Sequence, residues 1–494
     1  MSETPAAMLP LAISGLVALS LALAILATIW PRQAHRIGGY GAVLMTAAVV
    51  VLSALFLAAG PDPESAATRV ALGGWEAPLG VMLHLDGLSM TLLVLTGVVG
   101  LATSLYSLGY VHDPIERRQF WPLWLWLWAG LNMLLLSGDA FNLYISLEVV
   151  SLSAVALVAF TGTAAAVSGA MRYMLINILG SLSFLMGVVL LFGEHGVLDL
   201  VLLEARTEIG PTERMAAVLM TAGLMLKAAL FPLHVWLAPA HGSAPAPVSA
   251  VLSGLVVTGS FYLILRLWMG PFAPLATPAF GILVGLLGVA ALVWGSAQAL
   301  RSGRLKSIVA YSTVAQFGYL LIAFPLMLVD SGAWRVVVFF AVVHALAKAS
   351  VFLAAGTLQH AAGHDRLADM GAILRARGRT VFALGLAGVS LMGLPFTGGF
   401  IAKYLLLEAG LSTILAGSLI GVLWVSAIAG GGLLAAGYVL RMVAPAFHRG
   451  PRDAGEAVSP WMDWVPLGLA VVAAAAGFAG TLTLHTLTLT PGAP

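Results

Sequence analysis

Long apolar runs recur along the whole of this chain, and they constrain its fold more than any other feature. We count about fourteen runs of roughly 18 residues or more, enough for a helix to cross the hydrocarbon core of a bilayer. Inside hydrocarbon every backbone polar group must be bonded within the protein, so spanning segments form helices or closed barrels. The runs therefore predict an all-α integral membrane protein with about 14 transmembrane helices.

Composition excludes several other classes of protein. Of all residues, 60% are hydrophobic and 9% are charged, whereas soluble domains carry roughly 25% charged residues. The chain has no cysteine, which excludes disulfides, thiolate-held iron–sulfur clusters and cysteine-ligated zinc. Phosphate-loop, dinucleotide, HExxH and GxSxG motifs are missing. We expect no cofactor, no metal and no nucleic-acid partner, so one ion gradient or a partner protein must supply the energy.

The distribution of cations predicts the orientation. Loops after odd-numbered predicted spans hold fifteen of the 23 lysines and arginines, Lys306 among them, and loops on the other side hold five: Arg69, Arg206, Arg214, Arg266 and Arg335. Cytoplasmic loops are the ones enriched in lysine and arginine. The prediction is a multi-pass protein of the inner (cytoplasmic) membrane with both termini on the outer (periplasmic) side.

Two predicted spans are interrupted, and each carries a lysine. In the seventh, Pro232 breaks the helix shortly after Lys227. In the twelfth, Pro395 and the glycines that follow it break the helix just before Lys403. Paired interruptions in two halves are typical of transporters built from inverted repeats. We expect two five-helix repeats, at 119–268 (spans 4–8) and 269–445 (spans 9–13), between an N-terminal segment at 1–118 and a C-terminal loop and span at 446–494.

Titratable side chains inside these spans form a candidate proton relay. A lone charge at mid-membrane costs about 2.5 to 3.5 kcal/mol on insertion scales, so each needs a partner. Glu148 is the only deeply placed carboxylate and is expected to pair with Lys227. His344 and Lys348 lie four residues apart on one helix face. Together with Lys403 they complete a row of titratable residues, Glu148, Lys227, Lys348, His344 and Lys403. Because ammonium groups cannot ligate a metal cation, the row suits protons better than sodium.

Secondary candidates and structural alternatives stand beside this relay. His234 is a candidate stepping stone, and Glu408 is a candidate exit group beyond Lys403. Glu148 and Lys227 could instead form a static ion pair, and Lys348 could extend to the interface. His344 could simply bond a carbonyl, and His234 and His241 could fill the helix break. Charged residues near span ends are expected to be interfacial anchors or positive-inside signals: Asp86, Asp139, Arg172, Arg266 and Lys306.

Five motifs, matching in order and spacing over roughly residues 80 to 440, resemble a known superfamily. They are GDAFNLYISLEVVSLSAVALVAF, KAALFPLHVWLAPAHGSAPAPVSAVLSGL, RLKSIVAYSTVAQFGYLLIA, HALAKASVFLAAG and GLPFTGGFIAKYLLLE. The chain resembles the antiporter-like subunits shared by respiratory complex I, group 4 membrane hydrogenases and Mrp-type multisubunit sodium/proton antiporters. The resemblance implies fourteen helices, two inverted five-helix repeats and broken seventh and twelfth spans. By matching motif it implies a glutamate of span five at Glu148, a lysine of span seven at Lys227, a histidine of span eleven at His344 and a lysine of span twelve at Lys403.

One departure from the family pattern concerns the middle of the row. Most relatives have a lysine in the eighth span where this chain has Thr258. A hydroxyl can relay a proton through water but cannot store a charge, so the central route would use water, His234 or Lys348. Gln316 likewise stands where some relatives have histidine. The lysine at position 403, where one complex I relative has glutamate, favours the Mrp D-type or hydrogenase-linked branch.

Three functions follow from the motifs. The leading hypothesis is a proton-translocating component of a multisubunit Mrp-type cation/proton antiporter, of the D type. The second is a pumping component of a complex I-like or group 4 hydrogenase complex, in which redox chemistry elsewhere drives the helices. The third, raised by Thr258, is a non-conducting or anion-uptake-coupled homologue. The expected partners are other membrane subunits, the lipid bilayer and protons, with sodium as a further candidate. The chain has no redox active site of its own, so membership of an oxidoreductase complex stays open.

Overall fold

A computed structural model of the chain describes residues 5–59, 68–206 and 209–490. Within these ranges the protein is helical apart from one antiparallel pair of short strands. The elements up to residue 269 are α1 Pro5–Ile29, α2 Gly41–Ala59, β1 Thr68–Ala71, β2 Met82–Leu85, α3 Gly87–Tyr110, α4 Pro114–Leu136, α5 Ala140–Ala159, α6 Ala164–His195, α7 Leu200–Arg206, α8 Pro211–Lys227, α9 Leu237–Ser243, α10 Ala246–Val251 and α11 Val257–Met269. A π-helical turn at Leu252–Val256 joins α10 to α11.

The remaining helices belong to the second half of the chain. They are α12 Pro278–Arg301, α13 Leu305–Met327, α14 Ala333–Ala362, α15 Gly371–Ala376, α16 Gly378–Met392, α17 Gly398–Leu415, α18 Ile420–Val443, α19 Pro460–Ala475 and α20 Gly480–Thr486. The joined α10–α11 segment, α13 and α14 are almost entirely buried, whereas α1, α2 and α18 leave most of their residues exposed or half-buried. The centre of the molecule therefore lies around α11, α13 and α14, and the outer helices present apolar faces to their surroundings.

The number of membrane-spanning helices differs from the sequence prediction. In the described ranges eleven helices are long and apolar enough to cross a membrane, or twelve if α19 and α20, which are bent by 78°, count as one span. Two predicted spans fall short of this test. One coincides with α8, which has only 17 residues, and the other with the tryptophan-rich α4. The prediction of a many-helix membrane protein is confirmed; the count of fourteen, the inverted repeats and the four predicted segments stay predictions.

Helical structure stops at both places where the sequence predicts a break. The α8 helix ends at Lys227, and Ala229 has a positive φ of 50°, ahead of Pro232, whose ring cannot continue a helix. The α16 helix ends at Met392. Thr397 then caps α17, because its hydroxyl accepts a hydrogen bond from Phe400 N at 3.3 Å. Each break exposes backbone groups that need partners inside the protein.

A buried ion pair ties the start of α3 to the end of α11. Asp86 is fully buried, caps α3 by accepting a hydrogen bond from Ser89 N at 2.8 Å, and pairs with Arg266. Burial opposes ionisation of this carboxyl, but the Arg266 guanidinium outweighs burial and holds the pKa of Asp86 well below its usual range. The expectation that Asp86 and Arg266 are interfacial anchors is wrong, because Asp86 is fully buried and the two residues, 180 positions apart, pair with each other.

Replacing Asp86 with asparagine tests this ion pair. Asparagine still caps a helix, so Asp86→Asn removes the charge and leaves Arg266 buried without a counter-ion, at a cost of about 3 to 5 kcal/mol. We expect a lower midpoint of thermal unfolding in detergent. Because the folded-state pKa is depressed, the stabilisation is complete above the unfolded pKa and is lost as pH falls through the folded one. The matched control is Asp113→Asn at the exposed cap of α4; equal midpoints for the two variants would contradict the assignment.

Candidate functional site

All four lysines of the chain are buried. They are Lys227, Lys306, Lys348 and Lys403, with exposed fractions of 2%, 3%, 0% and 6%. A lysine is almost never fully buried unless its ammonium group is paired. The sequence predicted three of them inside the protein and counted Lys306 as a loop cation, whereas the structure buries Lys306 in the first turn of α13; its role as a positive-inside signal stays a prediction. The partners of these four ammonium groups define the candidate site.

The first lysine forms the ion pair that the sequence predicts. Lys227, the last residue of α8, donates from Nζ to Glu148 Oε1 on α5 at 3.1 Å and to Ser151 Oγ at 2.9 Å. The Ser181 hydroxyl on α6 donates to the same Glu148 oxygen. Lys227 is almost completely covered, whereas Glu148 remains 26% exposed. The Glu148 carboxylate therefore lies between the buried Lys227 ammonium group and the surface of the protein.

The backbone freed at the first break is satisfied by side chains. The Trp236 indole donates from Nε1 to Leu226 O at 2.9 Å. Beyond α9, Lys306 of α13 donates from Nζ to Ala244 O at 2.8 Å. Both carbonyls lie at or beside helix ends, and Leu226 O also accepts a longer hydrogen bond from Ala229 N at 3.3 Å. Lys306 thus stabilises the far side of the interruption that Lys227 opens.

Lys348 on α14 lies at the centre of the molecule and is held by polar groups of α13. Its Nζ donates to Val309 O at 2.7 Å and to the Ser312 hydroxyl. The same ammonium group lies 5.9 Å from the centre of the Phe352 ring. That ring stacks on the His241 imidazole at 4.5 Å between centroids. Phe352 therefore contacts both a residue of the first break and the central lysine.

Lys403 lies against the carbonyl groups freed at the second break. Its Nζ donates to Leu391 O at 2.7 Å and to Met392 O at 3.1 Å, and it lies 4.5 Å from the centre of the Tyr319 ring. Gly393 ends α16 with a φ of +84°, and a Cβ there would lie 2.7 Å from Lys403 Cδ. Glycine is needed at this position both for its conformation and for the approach of the lysine.

His344 and Lys403 line one small cavity. The His344 ring is buried, packs edge-on against Phe317 at 5.3 Å, and neither of its nitrogens has a partner among the described residues. The cavity, which Gln316 also lines, measures about 10 Å³. That volume accommodates about one water molecule. A single water here could bond the imidazole and the ammonium group together, which is the contact that a proton transfer needs.

One face of α13 contacts each of these groups in turn. Lys306 reaches the first break, Val309 and Ser312 hold Lys348, and Gln316 donates from Nε2 to Leu391 O at 3.2 Å beside the second break. The spacing of three to four residues places these side chains on one side of the helix. The α13 helix therefore makes polar contacts near both interruptions and with Lys348.

The secondary candidates fall into three different surroundings. Thr258 is buried beside another cavity of about 10 Å³, and its hydroxyl has no partner among the described residues. The His234 ring stacks on Phe231 at 5.4 Å between centroids, and its Nδ1 atom has no hydrogen-bond partner in the described ranges. Glu408 is exposed on α17, away from the buried face that carries Lys403. The structure thus brings Thr258 into the interior and leaves Glu408 at the periphery.

Sequence reasoning missed the hydroxyl groups that hold the site and the contact that Gln316 makes. Ser151 and Ser312 accept from Lys227 and Lys348, Ser181 donates to Glu148, and Gln316 donates to Leu391 O. Ser151 could have been found, because it lies one helical turn after Glu148. The others contact the site across helix interfaces that only the fold creates.

Comparison with known proteins gives the family. The NADH:quinone oxidoreductase/Mrp antiporter transmembrane family matches residues 137–429, which include all four lysines and Glu148. The N subunit of the NADH-quinone oxidoreductase of Desulforudis audaxviator is 34% identical over 434 residues, covering 85% of this chain and 83% of that protein. The D subunit of the Na(+)/H(+) antiporter of Alkalihalophilus pseudofirmus is 27% identical over 354 residues, covering 70% of each chain.

A solved structure shows that the fold is shared. A chain of the Mrp complex from Dietzia sp. DQ12-45-1b superposes with a TM-score of 0.87 at 21% identity, covering 99% of this chain and 97% of that one. The match spans the many-helix membrane architecture described above. This protein belongs to the NADH:quinone oxidoreductase/Mrp antiporter family and is an antiporter-like membrane subunit of the type found in Mrp and complex I assemblies.

Proposed function

We propose that this chain is the proton-translocating, D-type component of an Mrp-type cation/proton antiporter. The observation that carries the proposal is the Lys227–Glu148 ion pair at one interrupted helix, with a second buried lysine, Lys403, at the other. Both lysines are held by contacts that a small helix movement would change. The proposed proton carriers are Glu148, Lys227, Lys348, His344 and Lys403, with Thr258 and His234 as relay positions between them.

The ion pair provides the switching step. Two opposite charges about 4 Å apart attract by on the order of 4 kcal/mol at an effective dielectric constant of 20. When Glu148 moves away from Lys227, this attraction is lost and the buried ammonium group holds its proton less strongly. The proton can then pass toward Lys348 when the side chain of Lys348 is a neutral amine, since an ammonium group has no acceptor site. Return of the carboxylate would reload Lys227.

In the second half of the row, the lysines are hydrogen-bonded to uncharged oxygen atoms. Lys348 and Lys403 bond to carbonyl and hydroxyl oxygens and have no described carboxylate partner. His344 lies between them along the proposed route, with both ring nitrogens free to accept or donate. We place the two inverted repeats around this row, with both termini on the outer side of the inner membrane, as the distribution of cations in the loops supports.

A redox-driven complex is the second candidate. The 34% identity to the N subunit of an NADH-quinone oxidoreductase favours it. The buried row would serve either assembly, because it moves protons without supplying the energy. The distinction lies in the partner proteins.

Neutralising the charged members of the row should stop proton movement. We expect Glu148→Gln, Lys227→Met and Lys403→Met each to reduce gradient-driven proton uptake by about tenfold or more, since each removes a group that must bind the proton. The measurement is quenching of a pH-sensitive dye in inverted vesicles that contain the complete complex. Glu116→Gln, which changes an exposed carboxylate on α4, is the matched control. Normal uptake in all three variants would remove the relay.

The Thr258 hydroxyl should matter in the same assay. Valine has nearly the same shape but cannot donate or accept a hydrogen bond, whereas serine keeps the hydroxyl. We expect Thr258→Val to slow proton uptake by about tenfold and Thr258→Ser to retain it. If both variants transport at the wild-type rate, the hydroxyl is not part of the route. If the wild-type complex itself moves no protons, the chain is a non-conducting homologue.

The driving force separates the two candidate functions. In vesicles with the complete complex, an Mrp-type antiporter should release protons when sodium or another alkali cation is added, without an electron donor. A redox-driven complex should acidify the vesicle interior only when an electron donor is oxidised. A response to the donor alone would favour the second candidate over the first.

A further inference from the structure

A basic pocket lies at the end of the molecule that carries most of the loop arginines. It has a volume of about 760 Å³ and is formed where α15 and the residues before it meet the end of α18 and the segment after it. Four of its lining residues carry or can carry positive charge: Arg375, Arg441, His448 and Arg449. The volume is in the range of sites that bind small molecules or head groups.

The positive charge of this basic pocket is not neutralised by the described residues around it. Among them, Asp369 is the only acidic lining residue, and it pairs with Arg366 at 3.2 Å. Asp453 follows the pocket in the chain, and its carboxylate accepts a hydrogen bond from Gly455 N at 2.9 Å. The basic pocket therefore carries a net positive charge that a bound anion would neutralise.

The arginines differ in what they already contact. Arg375 donates to Pro451 O at 2.8 Å and to Pro445 O at 3.3 Å, so its position is fixed by the backbone. Arg441 has a buried Nη1 atom without a partner among the described residues. Buried donors are nearly always hydrogen-bonded, and an orphan one indicates a bound water, ion or ligand. Arg441 thus offers a guanidinium group that lacks an acceptor.

We propose that the basic pocket binds a phosphate ester, that of an anionic membrane phospholipid. Guanidinium groups bind phosphate through paired hydrogen bonds. Next to the pocket, α18 and the segment after it expose apolar side chains, with Leu440 59% and Phe447 80% exposed, which gives acyl chains a surface to follow. Basic pockets beside membrane helices on the cytoplasmic side bind anionic head groups in this way.

The test compares lipids and arginine variants in the complete complex, purified in detergent and freed of lipid. Phosphatidylglycerol is titrated into wild type and into Arg441→Gln and Arg449→Gln, with binding followed by thermophoresis. We expect each substitution to weaken binding by about fivefold, because one cation near an anionic surface contributes about that factor. Arg36→Gln, an exposed arginine on the same predicted side, is the matched control and should bind as wild type does.

Additional arms distinguish the source of the phosphate and exclude misfolding. Phosphatidylcholine should bind equally weakly to all variants, and inorganic phosphate at millimolar concentration should not displace phosphatidylglycerol. Arg441→Lys keeps the charge and loses the paired donors, so it should lie between wild type and Arg441→Gln. Equal phosphatidylglycerol binding by wild type and by both glutamine variants, at unchanged thermal midpoints, would overturn the proposal. Full displacement by inorganic phosphate would assign the basic pocket to a soluble anion instead.

Discussion

The structure depends on hydrogen bonds from buried lysines to the backbone carbonyls that interrupted helices leave unpaired. A broken helix leaves carbonyl groups without amide partners, and a buried lysine leaves an ammonium group without water; either alone is costly in hydrocarbon. In this protein the two needs meet, because Lys403 donates to Leu391 O and Met392 O at the second break, and Lys306 donates to Ala244 O near the first. The same contacts that stabilise the interruptions place exchangeable protons in the interior.

The two halves hold their lysines differently. Lys227 is paired with a full negative charge on Glu148, whereas Lys403 is surrounded by carbonyl dipoles and the face of Tyr319. A carboxylate on a separate helix can move and change the local charge by a full unit, whereas moving backbone carbonyls away from Lys403 changes it only by partial charges. In the proposed relay the moving part would therefore lie at Glu148, which is also the more exposed member of the pair.

Much of this arrangement could be predicted from the sequence, and the rest could not for identifiable physical reasons. The breaks at Pro232 and Pro395 follow from local rules about proline. The partnership of Glu148 with Lys227, 79 positions apart, follows by elimination, because Glu148 is the only carboxylate placed deep in a predicted span. The burial of Lys306 was not predicted because counting charges by loop says nothing about the direction of a side chain at the start of a helix. The Asp86–Arg266 pair was missed because both residues lie near the ends of predicted spans, where water and head groups can satisfy a charge without a protein partner.

Thr258, the middle position of the proposed relay, lies next to a helix irregularity of another kind. A threonine in a regular α-helix usually satisfies its hydroxyl by donating to the carbonyl three or four residues earlier. Here those residues, Gly254 and Leu255, belong to the π-helical turn Leu252–Val256, and the hydroxyl has no partner among the described residues. A hydroxyl that the helix does not use can bond to water in the cavity beside it. The π-helical turn would thus leave the Thr258 hydroxyl available in the middle of the row. The proline breaks, in the same way, leave backbone carbonyls available at its ends.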